Sequence, residues 1–335
     1  MQALVDYNKS SDWQLKAASS TIEDLISVFR HAATLTNSTI VACDYGSSEG
    51  LNSAKIFSSA IQTIRATIQT PIHIIHNDLP SNNWNKLASV LYSNDGYLKY
   101  PDTYSSSVAK SFFERVVPNE TLHIAFSTSS FQYLSKQVVS PDSIEACLSE
   151  IPEIRAQASE QGEADMLEIL RLRYEELVPG GRCVFLIHCM PDEGKMMHAE
   201  LLSKAHNSLF AKRVITEEEY KSFKRPNHYR TKTEWDRIFS KVSSQYKLVS
   251  YETKSFISPF YEKFLADGDQ EGYANSIKNF FRPLTQAAFL KSIARSPEEK
   301  TEIFEEFLNE IGNQLLEGDP DVRIWYSSII LEKIS

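Results

Sequence analysis

The sequence predicts an α/β fold in which a mostly parallel β-sheet carries helices on both faces. Two observations support this prediction. Over the first 190 residues, short apolar and β-branched runs alternate with helical stretches, a pattern typical of parallel strands joined by crossover helices. The chain has 335 residues, which is long for one compact domain and short for three, so we expect one α/β core with a sizeable appendage.

The core elements are assigned from apolar periodicity and turn residues. Residues 39–45 (TIVACDY) form a short, mostly apolar run that predicts the first strand, and apolar spacing predicts a helix over 51–67. The further predicted strands are 72–76, 121–126 and 182–189, and the further predicted helices are 82–93 and 164–178. The residues Pro179, Gly180 and Gly181 predict a turn that ends the last of these helices.

Helices dominate the pattern beyond residue 190. They are predicted over 195–210, 216–223, 232–242 and within 259–316, with strands over 246–255 and 323–331. The late helices are interpreted as insertions between the last strands of one sheet, where they would form a helical lid. The predicted domains are an α/β core with an N-terminal lid segment (1–190), a helical cap (191–245), and the last strands (246–335) with a second helical cap at about 257–317.

Composition argues against two classes of partner. The 44 acidic and 35 basic residues give a formal net charge of -9, which would repel nucleic-acid phosphates and anionic membrane surfaces. The densest basic stretch, 221–232, contains Pro226 and is interpreted as a loop or a solvated helix end. No window reaches the roughly 18 apolar residues of a bilayer span, and the first residues lack a signal-peptide pattern, so we expect a cytoplasmic protein.

The cysteines give no sign of a disulfide framework or a zinc site. Cys43, Cys147, Cys183 and Cys189 lack CxxC spacing, and three of them lie in apolar, strand-like runs. Reduced, buried thiols are therefore predicted, and no metal site is expected.

Residues 44–50 (DYGSSEG) carry the strongest local signal for a binding site. They place the Asp44 carboxylate at the end of the first strand, before a small-residue turn and a helix, and ligands of open α/β sheets bind at this edge. Gly46 and Gly50 would let the backbone approach a ligand, and Asp44 would pair with a ligand ammonium. A plain strand-to-helix turn explains the segment about as well, and the missing G-x-G-x-x-G spacing disfavours a dinucleotide site.

A second signal lies at the end of the second strand. The sequence Asn77-Asp78-Leu79-Pro80 places a carboxylate where it would accept hydrogen bonds from both hydroxyls of a ribose. Taken by itself, Asp78 is interpreted as the N-cap of a helix that starts near Asn82 before it is interpreted as a ligand-binding residue. Acidic residues at the ends of consecutive strands favour a ligand that contains a nucleoside.

Four stretches follow one another in the order of a known family. Residues 7–14 resemble Tyr-x-x-Asn-Ser-x-x-Gln, 44–52 resemble Asp-Leu-Gly-Cys-Ser-Ser-Gly-Pro-Asn, 77–85 resemble Asn-Asp-Leu-Pro-x-Asn-Asp-Phe-Asn, and 111–118 resemble Ser-Phe-Tyr-x-Arg-Leu-Phe-Pro. These patterns are those of the plant carboxyl methyltransferase family known as SABATH, which includes salicylate, benzoate, jasmonate and caffeine-pathway enzymes. With looser matches farther along, the resemblance spans roughly two thirds of the chain.

The resemblance implies a fold, a reaction and a set of site residues. The fold would be the class I methyltransferase type, with a seven-stranded, mostly parallel mixed sheet and an inserted helical cap. The cofactor would be S-adenosylmethionine, the acceptor a small molecule, most simply the carboxylate of an organic acid, and the assembly a homodimer. Cofactor-binding roles are implied for Tyr7, Ser11, Asp44, Gly46, Asn52, Asp78, Leu79, Ser111 and Phe112. Gln14 would reach the acceptor carboxylate.

The chain departs from the family most in the acceptor pocket. The family's usual Ser-Ser-Tyr-x-Leu-His-Trp-Leu-Ser is replaced by STSSFQYLS over 127–135. Tyr133 stands where the family has a tryptophan that donates its N–H to the substrate carboxylate, and its hydroxyl would donate instead. Ser129 fills less of the pocket, and Gln132 adds an amide. Neither salicylate nor xanthine specificity is therefore transferred.

Other readings stay open at this point. In the cofactor motif, Glu49 would either point to solvent or help to hold the ligand ammonium. His188, at the end of a predicted strand, is interpreted first as a packed core histidine, although a pocket base there would favour a nitrogen or oxygen acceptor. A catalytically silent cofactor-binding protein is the third alternative.

Two further patterns are given structural interpretations. The aromatic stripe of the late helices is interpreted as helix-core packing before a pocket wall; its members are Phe256, Phe260, Tyr261 and Phe264. The residues 267–269 (DGD) lack the ligand spacing of a calcium loop and are interpreted as a turn.

Overall fold

The computed structural model describes residues 12–191 and 196–334. The helices of this part are α1 (Asp12–Ser19), α2 (Ile22–Leu35), α3 (Leu51–Ile64), α4 (Trp84–Leu91), α5 (Pro152–Glu176), α6 (Met197–Ala211), α7 (Glu217–Ser222), α8 (Lys232–Lys241), α9 (Pro259–Asp267), α10 (Gln270–Ser292) and α11 (Pro297–Glu317). The strands are β1 (Ile40–Tyr45), β2 (Ile72–Asp78), β3 (Thr103–Ala109), β4 (Leu122–Thr128), β5 (Leu177–His188), β6 (Tyr246–Ile257) and β7 (Arg323–Lys333).

Within the described residues the strands form one seven-stranded sheet. Their order is β3-β2-β1-β4-β5-β7-β6. Strands β1 to β5 pair in parallel, while β7 pairs antiparallel with both β5 and β6. The predicted mixed, mostly parallel sheet is therefore confirmed, and so are the helical insertions between its last strands.

Helices cover both faces of the sheet with apolar side chains. On one face Phe29 of α2 and Phe57 of α3 pack on Phe126 of β4. On the other face Met166 of α5 and Trp235 of α8 pack against the opposite side of the same strands. Burying each aromatic ring contributes roughly 1.5–3 kcal/mol. Of the segment 191–245, which the sequence assigns to a cap, α8 thus packs with the core of the sheet.

The remaining inserted helices share a second hydrophobic core. Helices α6, α10 and α11 contribute buried side chains to it, and Trp13 anchors α1 on it. The Trp13 indole N–H donates to the carbonyl of Phe256 at 3.1 Å. The aromatic stripe packs against this core. Its interpretation as helix-core packing is confirmed for the three members on α9, whereas Phe256 packs there from strand β6.

Strand β3 and the N-terminal helices α1 and α2 were not predicted. Strand β3 has the sequence TYSSSVA and lies at the edge of the sheet, where most of its side chains are at least partly exposed. An edge strand needs no apolar run because only one side of it is paired and its outer surface meets water. The predicted third strand is consequently the fourth of the chain, β4.

The predicted turn after α5 is wrong. Helix α5 begins at Pro152 and ends at Glu176, and the residues Pro179, Gly180 and Gly181 lie inside strand β5. Gly180 has φ +76°, and the pairing of β4 with β5 shifts register between Leu122 and Ile124. A glycine at positive φ is a common way to build such an irregularity in a strand.

The basic stretch 221–232 forms the connection between α7 and α8, as predicted, but part of it is buried rather than solvated. Arg230 is fully buried, and its guanidinium donates to the carbonyl oxygens of Phe131 at 2.9 Å and Gly162 at 2.7 Å. Backbone carbonyls replace the water that this charge would otherwise need. Charge in a sequence therefore did not predict exposure here.

Three smaller predictions can be compared with the structure. The four cysteines are free and buried, which confirms the prediction of reduced, buried thiols. Gly268 ends α9 at φ +72°, and the Asp269 side chain caps α10, so the turn at 267–269 is confirmed. None of the helices in the described ranges combines the length and the apolar character that crossing a bilayer requires.

Candidate active site

A large cavity opens at the carboxyl edge of the sheet. Its volume is about 1180 Å³, counting the open mouth. Residues that follow β1, β2 and β3 line one part, and residues that follow β4 and β5, together with α10 and the connection between α7 and α8, line the other. Because parallel strands end at one edge of a sheet, the topology brings the separate sequence motifs into one space.

Two glycines shape the turn between β1 and α3. Gly46 has φ +78° and Gly50 has φ +84°, a region that strongly favours glycine. A Cβ atom at Gly46 would overlap the Ser130 side chain, and one at Gly50 would overlap Leu87. Both positions therefore require glycine for two reasons, backbone conformation and lack of space.

The same turn offers polar groups to a ligand. The N–H groups of Gly46 and Ser47 donate to the carbonyl of Asn77 at 2.8 and 3.1 Å, which fixes the turn against the end of β2. The hydroxyl oxygens of Ser47 and Ser48 are buried and have no hydrogen-bond partner among the described residues. Buried hydroxyls without partners are costly, so a polar ligand in this turn would satisfy the site.

Asp78 lines the cavity at the end of β2. One carboxylate oxygen accepts from the Ser48 N–H and the other from the Leu79 N–H, both at 2.7 Å. Burial raises the pKa of this carboxyl, and the two N–H groups oppose that rise. Each oxygen has a second lone pair, which leaves room for two ligand hydroxyls. The alternative interpretation as a helix cap is wrong, because Asn83 caps α4.

Phe112 provides an apolar wall near Leu79, and both residues line the cavity. The Phe112 ring packs edge-on against Phe131 at a centroid distance of 5.2 Å, and its carbonyl accepts from the Arg173 guanidinium at 3.0 Å. Ser111, in contrast, is not part of the cavity wall, and its hydroxyl accepts from the Phe113 N–H at 3.2 Å.

Asp44 lies behind the cavity rather than in its wall. It is buried, and its carboxylate is 3.0 Å from Nδ1 of His76, whose Nε2 is 2.7 Å from the Tyr97 hydroxyl. Asn52 is part of the wall. Glu49 is only 3% exposed. The interpretation in which its side chain points to solvent is therefore wrong.

Helix α1 brings Gln14 to the same cavity. Gln14 is buried, and its side-chain carbonyl oxygen has no hydrogen-bond partner within the described ranges. Tyr7 and Ser11, to which the resemblance assigns cofactor contacts, lie outside the described residues.

The predicted acceptor residues lie together. Ser129, Gln132 and Tyr133 all line the cavity. Ser129 is held at φ +57° and its hydroxyl is 3.0 Å from the Tyr326 hydroxyl, while the Gln132 amide donates to the Ser129 carbonyl at 2.6 Å. The Gln132 side-chain oxygen has no partner in the described part of the chain. This segment thus presents neutral hydrogen-bonding groups to the same cavity as the turn between β1 and α3, which is called the cofactor turn below.

Sequence reasoning missed most of a polar group in the cavity wall, of which it had weighed only His188. His188, His198, Arg225, Asn227 and Tyr229 all line the cavity. The sequence signal that could have found this group is the basic stretch around Pro226, which was interpreted as a loop or a solvated helix end. That interpretation is wrong at Arg225, because Arg225 lines the cavity. His198 comes from α6, which no motif connected to the site.

The two histidines carry no charge near neutral pH. Burial, with the nearby His198 and Arg225, lowers the pKa of His188 well below its ordinary range. Burial and Arg225 lower the pKa of His198 to about 3. His188 also packs on Tyr326 at a ring-centroid distance of 4.3 Å, so it is both a packed histidine and part of the cavity wall.

The comparison with known protein families identifies the family of this chain. The family described as SAM dependent carboxyl methyltransferase matches residues 4–319. The chain belongs to this family. The predicted class of enzyme, a methyltransferase that uses S-adenosylmethionine, is thereby confirmed, and so is carboxyl methylation as the chemistry of the family.

Individual relatives of this carboxyl methyltransferase are diverse. Paraxanthine methyltransferase 2 of Arabidopsis thaliana is 29% identical over 245 residues, covering 65% of this chain and 67% of the relative. Jasmonate O-methyltransferase of the same plant is 26% identical and covers 88% of this chain and 86% of its own. The solved structure of loganic acid methyltransferase with SAH superimposes with a TM-score of 0.77 at 17% identity, covering 100% and 99% of the two chains, which shows the shared fold.

The residues at the carboxyl edge fit the cofactor of the family. The glycine turn has no space for a Cβ atom, its serine hydroxyls need partners, and Asp78 has free lone pairs for hydroxyls. Phe112 and Leu79 supply apolar surface for a ring system. When bound, S-adenosylmethionine supplies an electrophilic methyl group on a sulfonium sulfur.

We expect the variant Gly46→Ala to lose both stability and cofactor affinity. The left-handed conformation costs about 1–2 kcal/mol for a residue with a Cβ atom, and the overlap with Ser130 adds displacement of the turn. The measurements are thermal unfolding and isothermal titration with S-adenosylhomocysteine. Gly268→Ala is the matched control, because Gly268 has φ +72° but open space around it. Equal losses in the two variants would contradict a role of the close contact.

Proposed function

We propose that the enzyme transfers the methyl group to the carboxylate of a small organic acid and that Gln14 and Tyr133 position that carboxylate. The observation that carries this proposal is a single cavity lined both by the cofactor turn and by neutral hydrogen-bonding side chains. Tyr133 lines the cavity, and its hydroxyl can donate a hydrogen bond to an acceptor there. Ser129 and Gln132 complete the proposed acceptor wall.

Positioning suffices for this reaction. A carboxylic acid has a pKa of about 4, so the acceptor is already ionised near neutral pH and needs no base. Holding the nucleophile in line with the methyl carbon and the sulfur supplies roughly 7–11 kcal/mol of the barrier. The apolar side chains of Phe280, Phe281 and Leu284 on α10 line the cavity and would exclude water, which strengthens the orienting hydrogen bonds.

The remaining predicted contacts are proposed for the cofactor. Asp78 would accept the ribose hydroxyls, and Leu79 and Phe112 would enclose the adenine. Tyr7, Ser11 and Asn52 would hold the methionine portion. Asp44 would act on the ammonium group, from its position behind the cavity wall. The homodimer, the cytoplasmic location and the three-part domain division remain predictions.

A nitrogen or oxygen acceptor is the second candidate, and the neutral imidazole of His188 in the cavity wall is the observation in its favour. A general base works best when its pKa is near the working pH. Because the pKa of His188 lies well below its ordinary range, its neutral form is a weak base for a phenol or an azole N–H. The carboxylate therefore remains the better acceptor.

The proposal is tested with labelled methyl donor and a panel of carboxylic acids, phenols and nitrogen heterocycles. We expect methyl esters as products. Tyr133→Phe should lower kcat/KM by roughly 10- to 100-fold, the equivalent of losing one hydrogen bond to a charged group, without changing the affinity for S-adenosylhomocysteine. Tyr92→Phe is the control, since Tyr92 is 83% exposed. Products methylated on nitrogen or on phenols, with no ester, would establish the second candidate instead.

A further inference from the structure

Arg225, on the connection between α7 and α8, places a guanidinium in the wall of the cavity. Its side chain is 14% exposed, and one of its terminal nitrogens is 2.9 Å from the Glu145 carboxylate. Its backbone N–H donates to the Ile144 carbonyl at 2.7 Å. A guanidinium has five N–H donors in a fixed planar arrangement, so one contact with Glu145 leaves donors for a ligand.

Glu145 is arranged to hold this arginine in place. A single oxygen of the buried Glu145 carboxylate receives Arg225, the Asn227 amide at 2.7 Å and the Tyr229 hydroxyl at 3.0 Å. The other oxygen has no partner among the described residues. Burying an ion pair is expensive, and an apolar pair of similar volume is often as stable. Stability alone is therefore a weak explanation for a charged pair at this position.

The charge of Arg225 stands out among the cavity residues. Burial is the largest single influence and lowers the pKa of Arg225, but Glu145 and three further neighbouring groups together outweigh it, so the pKa is raised. The histidines beside it, His188 and His198, are neutral. The other charged side chains in the described wall are Asp78, at the end of β2, and Lys110, directly after β3. An acceptor that reaches Arg225 therefore meets a cation beside neutral polar side chains.

A cation is poorly suited to the carboxylate that reacts. As the carboxylate oxygen attacks the sulfonium methyl, a C–O bond forms, the C–S bond breaks with its electron pair passing to sulfur, and both charges disappear. A guanidinium on the reacting oxygen would stabilise the charged ground state more than the transition state, and such binding slows the chemical step. A neutral donor such as Tyr133 stabilises the charged ground state less, and therefore slows the chemical step less. The guanidinium is better used on an acidic group that stays ionised throughout.

We propose that the acceptor is a dicarboxylic acid, that one carboxylate is methylated beside Tyr133, and that Arg225 binds the second, which stays free. The product is then the monomethyl ester. This inference rests on the proposed carboxyl methylation and adds the class of acid. Arg225 acts as a specificity-determining residue and takes no part in the chemical step.

The test compares dicarboxylic acids with their half-amides, for example glutaric and terephthalic acids with glutaramic and 4-carbamoylbenzoic acids. Each pair keeps the size of the acceptor and removes one charge. We expect kcat/KM to be at least tenfold higher for the preferred diacid than for its half-amide. The double variant Arg225→Met/Glu145→Gln, which leaves no unpaired buried charge, should lower kcat/KM for the diacid at least tenfold and leave the half-amide value unchanged.

Two further measurements make every outcome decisive. Arg171→Met, which removes an arginine from an exposed ion pair on α5, should leave the discrimination as it is in the wild type. Calorimetric binding of the same acids to the protein loaded with S-adenosylhomocysteine reports on Arg225 without turnover. Diacids that bind through Arg225 but are never methylated would overturn the proposed function and support the subsite. Equal kcat/KM values for diacids and for monoacids or half-amides would overturn the subsite. So would a double variant whose kcat/KM falls equally for the diacid and the half-amide, or a failure of every diacid to bind.

Discussion

Asp78→Ala is expected to weaken binding of S-adenosylhomocysteine by about 100-fold or more. The carboxylate accepts the N–H groups of Ser48 and Leu79 and thereby ties the β1–α3 turn to the end of β2. Its free lone pairs are those proposed for the ribose hydroxyls. Two hydrogen bonds to a charged group contribute roughly 3 kcal/mol or more, which corresponds to about 100-fold in affinity. Isothermal titration of the purified variant measures the loss.

Two companion variants show whether the loss belongs to the ligand contact. Asp78→Asn keeps an acceptor oxygen and is expected to fall between the wild type and the alanine variant. Asp236→Ala removes an exposed carboxylate of α8 and should leave the affinity unchanged. An affinity of Asp78→Ala equal to that of the wild type would contradict the proposed contact of Asp78 with the cofactor. If Asp78→Ala does not fold, thermal unfolding will show it, and Asp78→Asn then provides the test.

The variant Arg173→Met is expected to lower the free energy of unfolding by about 3–5 kcal/mol, because it leaves a buried charge without its partner. Arg173 and Glu176 are fully buried and 2.5 Å apart. The Glu176 carboxylate also accepts from the Tyr45 hydroxyl and from the Val116 N–H, both at 2.5 Å. Denaturant unfolding gives the size of the loss.

The same variant should weaken cofactor binding in whatever fraction remains folded. The Arg173 guanidinium donates to the carbonyl of Phe112, a residue of the cavity wall, and so it fixes that wall through the backbone. Arg171→Met on the same helix is the control, since Arg171 is about half exposed and pairs with Glu168 and Glu175. Exposed ion pairs contribute about 0–1 kcal/mol. A similar, small loss in both variants would show that the buried pair does not stabilise the fold as proposed.

Local sequence predicted the main structural features of the proposed cofactor part of the site. Gly46 and Gly50 stand where a strand meets a helix, and positive φ with no space for a Cβ atom is a requirement that one residue type meets. Asp78 ends an apolar strand, and parallel strands bring their carboxyl ends to one edge. These features depend on neighbours within a few residues, so periodicity and turn chemistry predicted them together with the sheet. The family was indicated separately, by the resemblance of four short motifs.

Tertiary structure decided the elements in which local preference was weak. Strand β3 has few apolar residues because it lies at an edge, and the glycines after α5 enter a strand as an irregularity because β4 pairs beside them. Asp44 pairs with His76 of β2, a contact that no pattern near Asp44 indicates. In each case the partner comes from a distant part of the chain and outweighs the local signal.

The sequence by itself determined the family, the glycine turn after β1 and the mostly parallel character of the sheet, since each follows from short-range patterns. Only the tertiary structure placed Arg225 in the cavity wall beside His188 and the buried Glu145. A basic stretch with a proline reads as solvated, because water is the usual partner of an arginine. Here a carboxylate and neutral groups from distant segments take the place of water, and such long-range compensation of charge leaves no trace in local sequence.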